Sequence, residues 1–187
     1  MIQKNIKRRR DRKQDIKEAI KEFFFLNPTS KMRVRQVEKE LKLPLPSVIK
    51  YCRELKNEGI LTIAKIGNVV FYTADRSSQR FILEKRLFTI RRVYDSGLID
   101  YLKEELSNPV VVLFGSCSRG EDTEKSDMDI YIETKSKKEI NLEKFEKNLQ
   151  RKIQVFRHSS FKEVKNTFLA NSIINGIVLN GFLEVLK

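Results

Sequence analysis

One stretch, residues 110–133, constrains the fold of this chain more than any other. An apolar run of strand length ends at Gly115 and Ser116, and a second strand-like run follows in which Asp127 and Asp129 alternate with apolar residues. Side chains two positions apart on a strand point to the same face of a sheet, so we expect the two carboxylates to lie together. The pattern predicts two strands of an α/β fold with polar groups gathered beside a tight turn.

The residue types in this stretch suit a nucleotide site. Glycine lets the backbone approach a ligand closely, serine adds a hydroxyl, and free N–H groups at the start of a helix attract phosphate. Two carboxylates on one face are hard oxygen ligands suited to Mg²⁺ that also binds nucleotide phosphates. The alternative is a tight turn with two solvated acids at a strand edge, but aspartate weakens an ordinary strand.

The stretch closely resembles the G-S-x-x-R-G and S-D-x-D motif of the DNA polymerase β-like nucleotidyltransferase superfamily, especially its minimal branch. The matching residues are Gly115, Ser116, Arg119, Gly120, Ser126, Asp127 and Asp129. The resemblance covers roughly residues 96–187. It implies that the two aspartates are catalytic and bind Mg²⁺, and that a nucleoside triphosphate, most simply ATP, is bound by Gly115, Ser116, Arg119 and Ser126.

Members of this superfamily usually carry a third acid on the strand that follows the next helix. Here that strand is predicted at residues 152–156, and Gln154 stands where aspartate is expected. Glutamine cannot accept a proton at neutral pH, and its neutral carbonyl is a poorer Mg²⁺ ligand than a carboxylate. The sequence therefore leaves open whether the domain is an enzyme or only binds nucleotide.

Composition and charge bound the remaining possibilities. The chain of 187 residues is 40% hydrophobic, has two cysteines and carries a net charge of +13. No apolar run approaches the ~18 residues of a membrane span, and the N-terminus lacks the apolar segment of a secretory signal, so we expect a cytoplasmic protein without membrane contact. Residues 1–13 hold seven Lys or Arg against one Asp. That excess predicts a basic arm that contacts nucleic acid, or else a solvated tail.

Residues 14–75 resemble a winged helix-turn-helix domain. The pattern predicts helices from about Gln14 to Asn27, over 35–41 and from Pro46 to Gly59, then a hairpin of strands 60–66 and 69–73. The resemblance implies that the third helix enters the major groove of double-stranded DNA. The predicted DNA-binding residues are Ser47, Lys50, Tyr51 and Arg53 on that helix, with Lys65 and Asn68 on the wing. A domain of this shape that serves only protein docking or dimerisation is the alternative.

The remaining elements complete a mixed α/β (α+β) plan. Residues 76–95 are predicted to form a linker helix, and residues 96–187 a small mixed-sheet nucleotidyltransferase-like domain. Within it we expect helices over 98–106, 141–149 and 161–175, the last capped by Gly176, and a short strand at 177–179. The one histidine, His158, follows a predicted strand and is either a base or, more commonly at such a place, a structural residue. Cys117 is either an oxidation-sensitive thiol or a small filler.

Two functions remain from the sequence. In the first, a DNA-binding protein binds NTP and Mg²⁺ and transfers a nucleotidyl group, most simply AMP, to a hydroxyl of a protein or small molecule. In the second, a transcriptional regulator or antitoxin has a catalytically degenerate transferase domain that only senses nucleotide or binds a partner. The resemblance implies a small helical toxin-like protein as that partner. Winged-helix regulators also commonly work as homodimers on paired half-sites.

Overall fold

The computed structural model describes residues 15–185, so the predicted basic arm and the start of the first helix at Gln14 lie outside the described residues. The chain divides into two compact units between Glu84 and Lys85. This division falls inside one helix, so the predicted linker helix is shared between the units. In the described range, no helix combines the length and the apolar character needed to cross a membrane.

The N-terminal unit contains helices followed by a hairpin, in the predicted order. Its elements are α1 (15–26), α2 (Val34–Leu41), α3 (Leu45–Asn57), β1 (Leu61–Ile66) and β2 (Val69–Ala74). The two strands are antiparallel, and Met32 forms a further bridge to Tyr72. Ile20, Phe24 and Leu55 are fully buried in this unit. The order of elements agrees with the sequence, while assignment to the winged-helix class stays a prediction.

The predicted faces of α3 need correction. Tyr51 was predicted to contact DNA from the exposed face of this helix, but it is only 6% exposed, whereas the apolar Ile49 is only partly buried. The buried residues are Val48, Tyr51, Cys52 and Leu55. Their spacing of three, four and seven positions is that of one helix face, which places Tyr51 inside and Ile49 beside the face.

The C-terminal unit is built around a four-stranded sheet. Its elements after the shared helix α4 (Gln79–Asp95) are α5 (Leu98–Glu105), β3 (Val110–Phe114), α6 (Gly115–Arg119), β4 (Met128–Glu133), α7 (Glu143–Leu149), β5 (Ile153–His158), a 3₁₀ turn (Phe161–Glu163), α8 (Thr167–Ile174) and β6 (Ile177–Asn180). The strand order is β5-β4-β3-β6. Strand β3 is antiparallel to both of its neighbours, and β4 runs parallel to β5.

Alternation along the strands divides the sheet into two faces. One face buries Leu113, Ile130 and Ile132 together with residues of α5 and α7. The opposite face buries Phe114 and Tyr131 with residues of the 3₁₀ turn and α8. Because strand side chains alternate, Asp129 on β4 belongs to the face of Tyr131. The structure therefore brings the D-x-D motif to the face that α8 covers only in part.

The predicted helix over residues 161–175 is wrong in its first half. Residues 161–163 form a 3₁₀ turn, and the α-helix begins only after Asn166, whose side-chain Oδ1 accepts hydrogen bonds from the N–H groups of Phe168 and Leu169 at 3.0 and 3.1 Å. Asparagine at this place caps a new helix rather than continuing the turn. Asn175, not Gly176, is the C-cap. Gly176 is instead needed for close packing, because a Cβ there would lie 2.7 Å from the carbonyl oxygen of Leu113.

Candidate active site of the C-terminal unit

Gly115 forms the sharp turn that ends β3. Its φ of +70° is a conformation that residues with a side chain rarely adopt. A Cβ at this position would lie 3.2 Å from Cγ of Asp129 and closer still to its Oδ2. The backbone of the turn and the carboxylate are thus in direct contact, which explains why both halves of the motif require these residue types.

The two aspartates lie side by side at the start of β4. Asp129 pairs with Phe114 across the strands and is partly buried, while Asp127 precedes the strand and is exposed. Burial raises the pKa of Asp129, the negative charge of Asp127 raises it further, and the charge of Arg119 opposes both. Two carboxylates that repel each other in this way would gain from a bound cation.

Gln154 lies directly beside this pair. In the parallel pairing of β4 and β5 it is the register partner of Asp129, so the two side chains share a face of the sheet. This is the place at which the sequence predicted a missing third acid. Among residues 15–185, no group of three or more His, Cys, Asp or Glu could hold a metal ion.

The donor set nevertheless fits Mg²⁺ that arrives with a nucleotide. Such ions are commonly held by one or two carboxylates, with the remaining ligands supplied by phosphates and water. Asp127 and Asp129 provide two carboxylates on one edge, beside a turn that carries the hydroxyl of Ser116. In the described part of the chain that hydroxyl has no hydrogen-bond partner. It is therefore available to a ligand.

Two other predicted nucleotide-binding residues already have partners. The Arg119 Nε donates to Glu121 Oε2 at 2.7 Å, on the surface. The Ser126 Oγ accepts a hydrogen bond from the N–H of Thr123 at 2.9 Å and so closes the turn before the aspartates. Burial raises the pKa of Asp129, and Arg119 is close enough to oppose that rise, whereas Ser126 primarily shapes the backbone.

A buried ion network anchors the connector between α6 and β4, and sequence reasoning missed it. Asp122 is 4% exposed and Lys85 is 1% exposed, and their Oδ1 and Nζ atoms are 3.0 Å apart. The Lys85 Nζ also donates to the carbonyl oxygen of Asp122, and the Arg151 Nη2 lies 3.7 Å from the Oδ2 of Asp122. Burial lowers the pKa of Lys85, and attraction to Asp122 opposes this effect. Lys85 lies on a helix rich in charge, so no pattern in the sequence singles it out.

Cys117 and His158 take structural places. The Cys117 Sγ is buried and donates to the carbonyl oxygen of Asp127 at 3.5 Å, and burial raises the pKa of this thiol to about 12. His158 is the register partner of Glu133 at the far end of β5, where its ring stacks on Tyr131 with centroids 5.8 Å apart. His158 lies four residue steps from Gln154, about 13 Å along a strand. Neither side chain is placed to take part in chemistry at Asp129.

The predicted DNA-binding residues lie in the N-terminal unit with different exposure. Lys50, Arg53, Lys65 and Asn68 are exposed, Ser47 is partly buried and Tyr51 is buried. The Lys50 Nζ lies 3.6 Å from Glu54 and over the ring of Tyr51. The exposed members leave a cationic surface on α3 and the hairpin. Tyr51 contributes to the core and cannot contact a base from there without a change in the helix.

Comparison with known families supports the assignment of the C-terminal unit. Residues 96–179 match the family model described as a nucleotidyltransferase domain. This match supports a nucleotidyltransferase domain in this part of the chain and nucleotidyl transfer as a coarse description of its function. Searches of curated proteins and of solved structures gave no significant match.

Proposed function

We propose that the C-terminal unit binds a nucleoside triphosphate together with Mg²⁺, most simply ATP, and positions its phosphates for nucleotidyl transfer. The observation that carries this proposal is the contact between the Gly115 turn and the Asp129 carboxylate, with Asp127 adjacent. A phosphate held at the turn would lie within reach of a cation held by the two carboxylates. A bound cation would also offset the repulsion between the two carboxylates, which accounts for two acids at one site.

The proposal assigns a role to each residue of the motif and leaves two roles for Arg119. Asp127 and Asp129 hold Mg²⁺, which supplies charge stabilisation on the transferring phosphate. Ser116 donates its hydroxyl to a phosphate oxygen, and the backbone at Gly115 allows close approach. Arg119 either contacts a phosphate or stays with Glu121 and stabilises the loop. The attacking hydroxyl belongs to a protein or small molecule.

Gln154 determines how much transfer to expect. An acid at that position would bind the metal and accept the proton of the attacking hydroxyl, and glutamine does neither well. Absence of a general base typically lowers a rate by about 10²–10⁴-fold. We therefore propose slow transfer by the native chain. In the alternative, the domain is degenerate and senses nucleotide for a transcriptional regulator or antitoxin.

Calorimetry of ATP binding with Mg²⁺ and with EDTA tests the proposal. The double variant Asp127→Asn with Asp129→Asn should lose the Mg²⁺-dependent part of the affinity. A matched control, Asp95→Asn with Asp100→Asn, removes two exposed acids elsewhere in the unit and should bind as the native chain does. Equal affinity of the native chain in Mg²⁺ and EDTA would rule out the metal role. Incubation with labelled ATP and a lysate then separates transfer from sensing.

We further propose that the N-terminal unit binds double-stranded DNA. The supporting observation is its order of three helices and an antiparallel hairpin, with exposed Lys50, Arg53 and Lys65 on α3 and the hairpin. Counterion release predicts that affinity falls steeply with salt. Failure to retain any duplex at low salt would exclude this function.

We also propose that the protein forms a homodimer and binds a small helical protein partner. A homodimer would present two copies of α3 to paired half-sites. A small helical toxin-like protein is the partner expected if the chain is an antitoxin. Light scattering of the purified protein, alone and with the product of a neighbouring gene, tests both.

A further inference from the structure

The N-terminal unit contains a groove that the sequence did not reveal. It has a volume of about 680 Å³ and lies between the first turn of α2, the middle of α3 and strand β2. Its polar lining includes three arginines, one from the N-cap of α2, one from its first turn and one from α3. These are Arg33, Arg35 and Arg53. Val34, Ile49, Val70 and Tyr72 form the apolar part of the lining.

The groove has no acidic side chain in its lining among the residues that the structure describes. Within residues 15–185, none of the three arginines forms an ion pair, although elsewhere in the unit lysines such as Lys17 and Lys21 are paired with glutamates. The first turn of α2 also lacks an acidic residue, so the positive end of the helix dipole adds to the field. Three guanidinium groups gathered in one such concavity attract an anion strongly.

The groove is held in shape before any ligand arrives. The Arg33 guanidinium lies 5.3 Å from the centre of the Phe71 ring, and the N–H of Arg33 donates to Gln36 Oε1 at 2.8 Å. Arg53 lines the groove beside Tyr72, which is buried and whose strand is fixed by the bridge to Met32. The contact with Phe71 restricts the Arg33 guanidinium, which therefore loses less conformational freedom on binding, and arginine forks match the oxygens of a phosphate in pairs.

The lining favours phosphate over a nucleobase. Its side chains offer mainly N–H donors, because Gln36 Oε1 already accepts a hydrogen bond from the N–H of Arg33 and Tyr72 is buried. A base edge would find few acceptors for its own N–H groups, whereas phosphate oxygens need only donors. Lys50 and Lys65 are exposed in the same unit, so a long polyanion gains further contacts where a single phosphate would not.

We propose that the groove of Arg33, Arg35 and Arg53 is a phosphate-binding site that anchors the backbone of duplex DNA. This inference rests on the proposed DNA binding, adds Arg33 and Arg35 to the predicted DNA-binding residues, and assigns Arg53 to a phosphate contact. Phosphate contacts position a protein on DNA without reading its sequence. The groove therefore supplies affinity and register, while the polar face of α3 reads bases.

The test compares two triple variants of the full chain on several duplexes of different sequence, in EDTA so that the C-terminal site does not compete. One variant carries Arg33→Gln, Arg35→Gln and Arg53→Gln. The control carries Lys39→Gln, Lys42→Gln and Lys56→Gln, three exposed lysines outside the groove, and removes the same charge. Circular dichroism melts confirm that both are folded. A double variant, Arg33→Gln with Arg35→Gln, leaves Arg53 of helix α3 in place beside Tyr72.

The arginine variants should bind every duplex more weakly by the same factor, and the log–log salt slope should flatten by about 0.9 for each phosphate that is no longer neutralised. The lysine control should keep a slope near that of the native chain. If native protein binds duplex and the arginine variants bind with the same slope, the groove inference fails while DNA binding stands. If the native chain binds no duplex, both fail. Competition by free ATP or inorganic phosphate at millimolar concentration, abolished in the arginine variants, would assign the groove to a free phosphate ligand and overturn the backbone proposal.

Discussion

Restoring an acid at position 154 is the sharpest test of the proposed active site. The register of β4 and β5 places the new carboxylate of Gln154→Asp beside Asp129, on the same face and about 4.8 Å away between neighbouring strands. The variant should acquire a third metal ligand and a general base. Transfer of label from ATP should then rise by about 10²–10⁴-fold if the acceptor is present.

The same substitution should lower the free energy of unfolding when no cation is bound. Two unit charges about 5 Å apart repel by roughly 1 to 3 kcal/mol at effective dielectric constants between 80 and 20. Position 154 is exposed, so the lower end applies. The free energy of unfolding in EDTA should fall by about 1 kcal/mol, which corresponds to a few degrees in Tm. Saturating Mg²⁺ should reverse that decrease, because the ion binds only the folded site.

Thermal melts in EDTA and in Mg²⁺, followed by transfer assays, measure both effects. Gln150→Asp is the matched control, since it adds the same charge at an exposed position just before β5. The control should show neither the decrease in EDTA nor the recovery in Mg²⁺. Unchanged stability and activity in Gln154→Asp, or rapid transfer by the native chain, would show that the catalytic base has been misassigned.

Three further substitutions test the architecture around the site. Gly115→Ala should abolish Mg²⁺-dependent ATP binding in calorimetry, because its Cβ would displace the Asp129 carboxylate; a variant that binds as the native chain does would mean that the turn does not approach the ligand. Lys85→Met should lower the free energy of unfolding by about 3–5 kcal/mol, since it removes the lysine partner of the buried Asp122 carboxylate. The double variant with Asp122→Asn should recover part of this stability in urea denaturation. Additive effects of the two substitutions would argue against a coupled pair. Burial alone would raise the pKa of Glu84, but nearby cations together lower it below its ordinary value of 4.5. Its ion pairs therefore stabilise the fold above about that pH and the effect fades below it, so the stability difference between the native chain and Glu84→Gln should narrow as pH falls below 4.5. A difference that is constant across that range in acid melts would contradict the charge argument.

The order of elements followed from local pattern. The continuous apolar run of β3, the two-residue alternation in β4 and the helical spacing in α1 and α3 depend on neighbours in the chain, so they were visible in the sequence. The errors concern one helix boundary, which a short polar side chain sets, and one helix face. Asn166 starts a new helix where apolar periodicity alone predicted continuity. Tyr51 is buried because its spacing from Val48 and Leu55 outweighs its polar hydroxyl.

The candidate site was predicted from residue types, but its geometry was not. Gly115, Asp127 and Asp129 formed a recognisable motif, and the place of Gln154 followed from the resemblance. The register that sets Gln154 beside Asp129 depends on pairing between strands far apart in sequence, which no local pattern encodes.

The sequence by itself determined the chemistry of this protein: a phosphate-compatible turn, two carboxylates on one strand face, a neutral residue in place of a third acid, and a cationic N-terminal half. Only the tertiary structure decided which charges are buried in pairs and which face an open groove. Lys85 and Asp122 form a closed pair in the interior, whereas Arg33 and Arg53 line a groove without acidic side chains in the described part of the chain. Identical residue types differ in this way because burial and partners are set by packing between distant segments, and the energy of a charge depends on both.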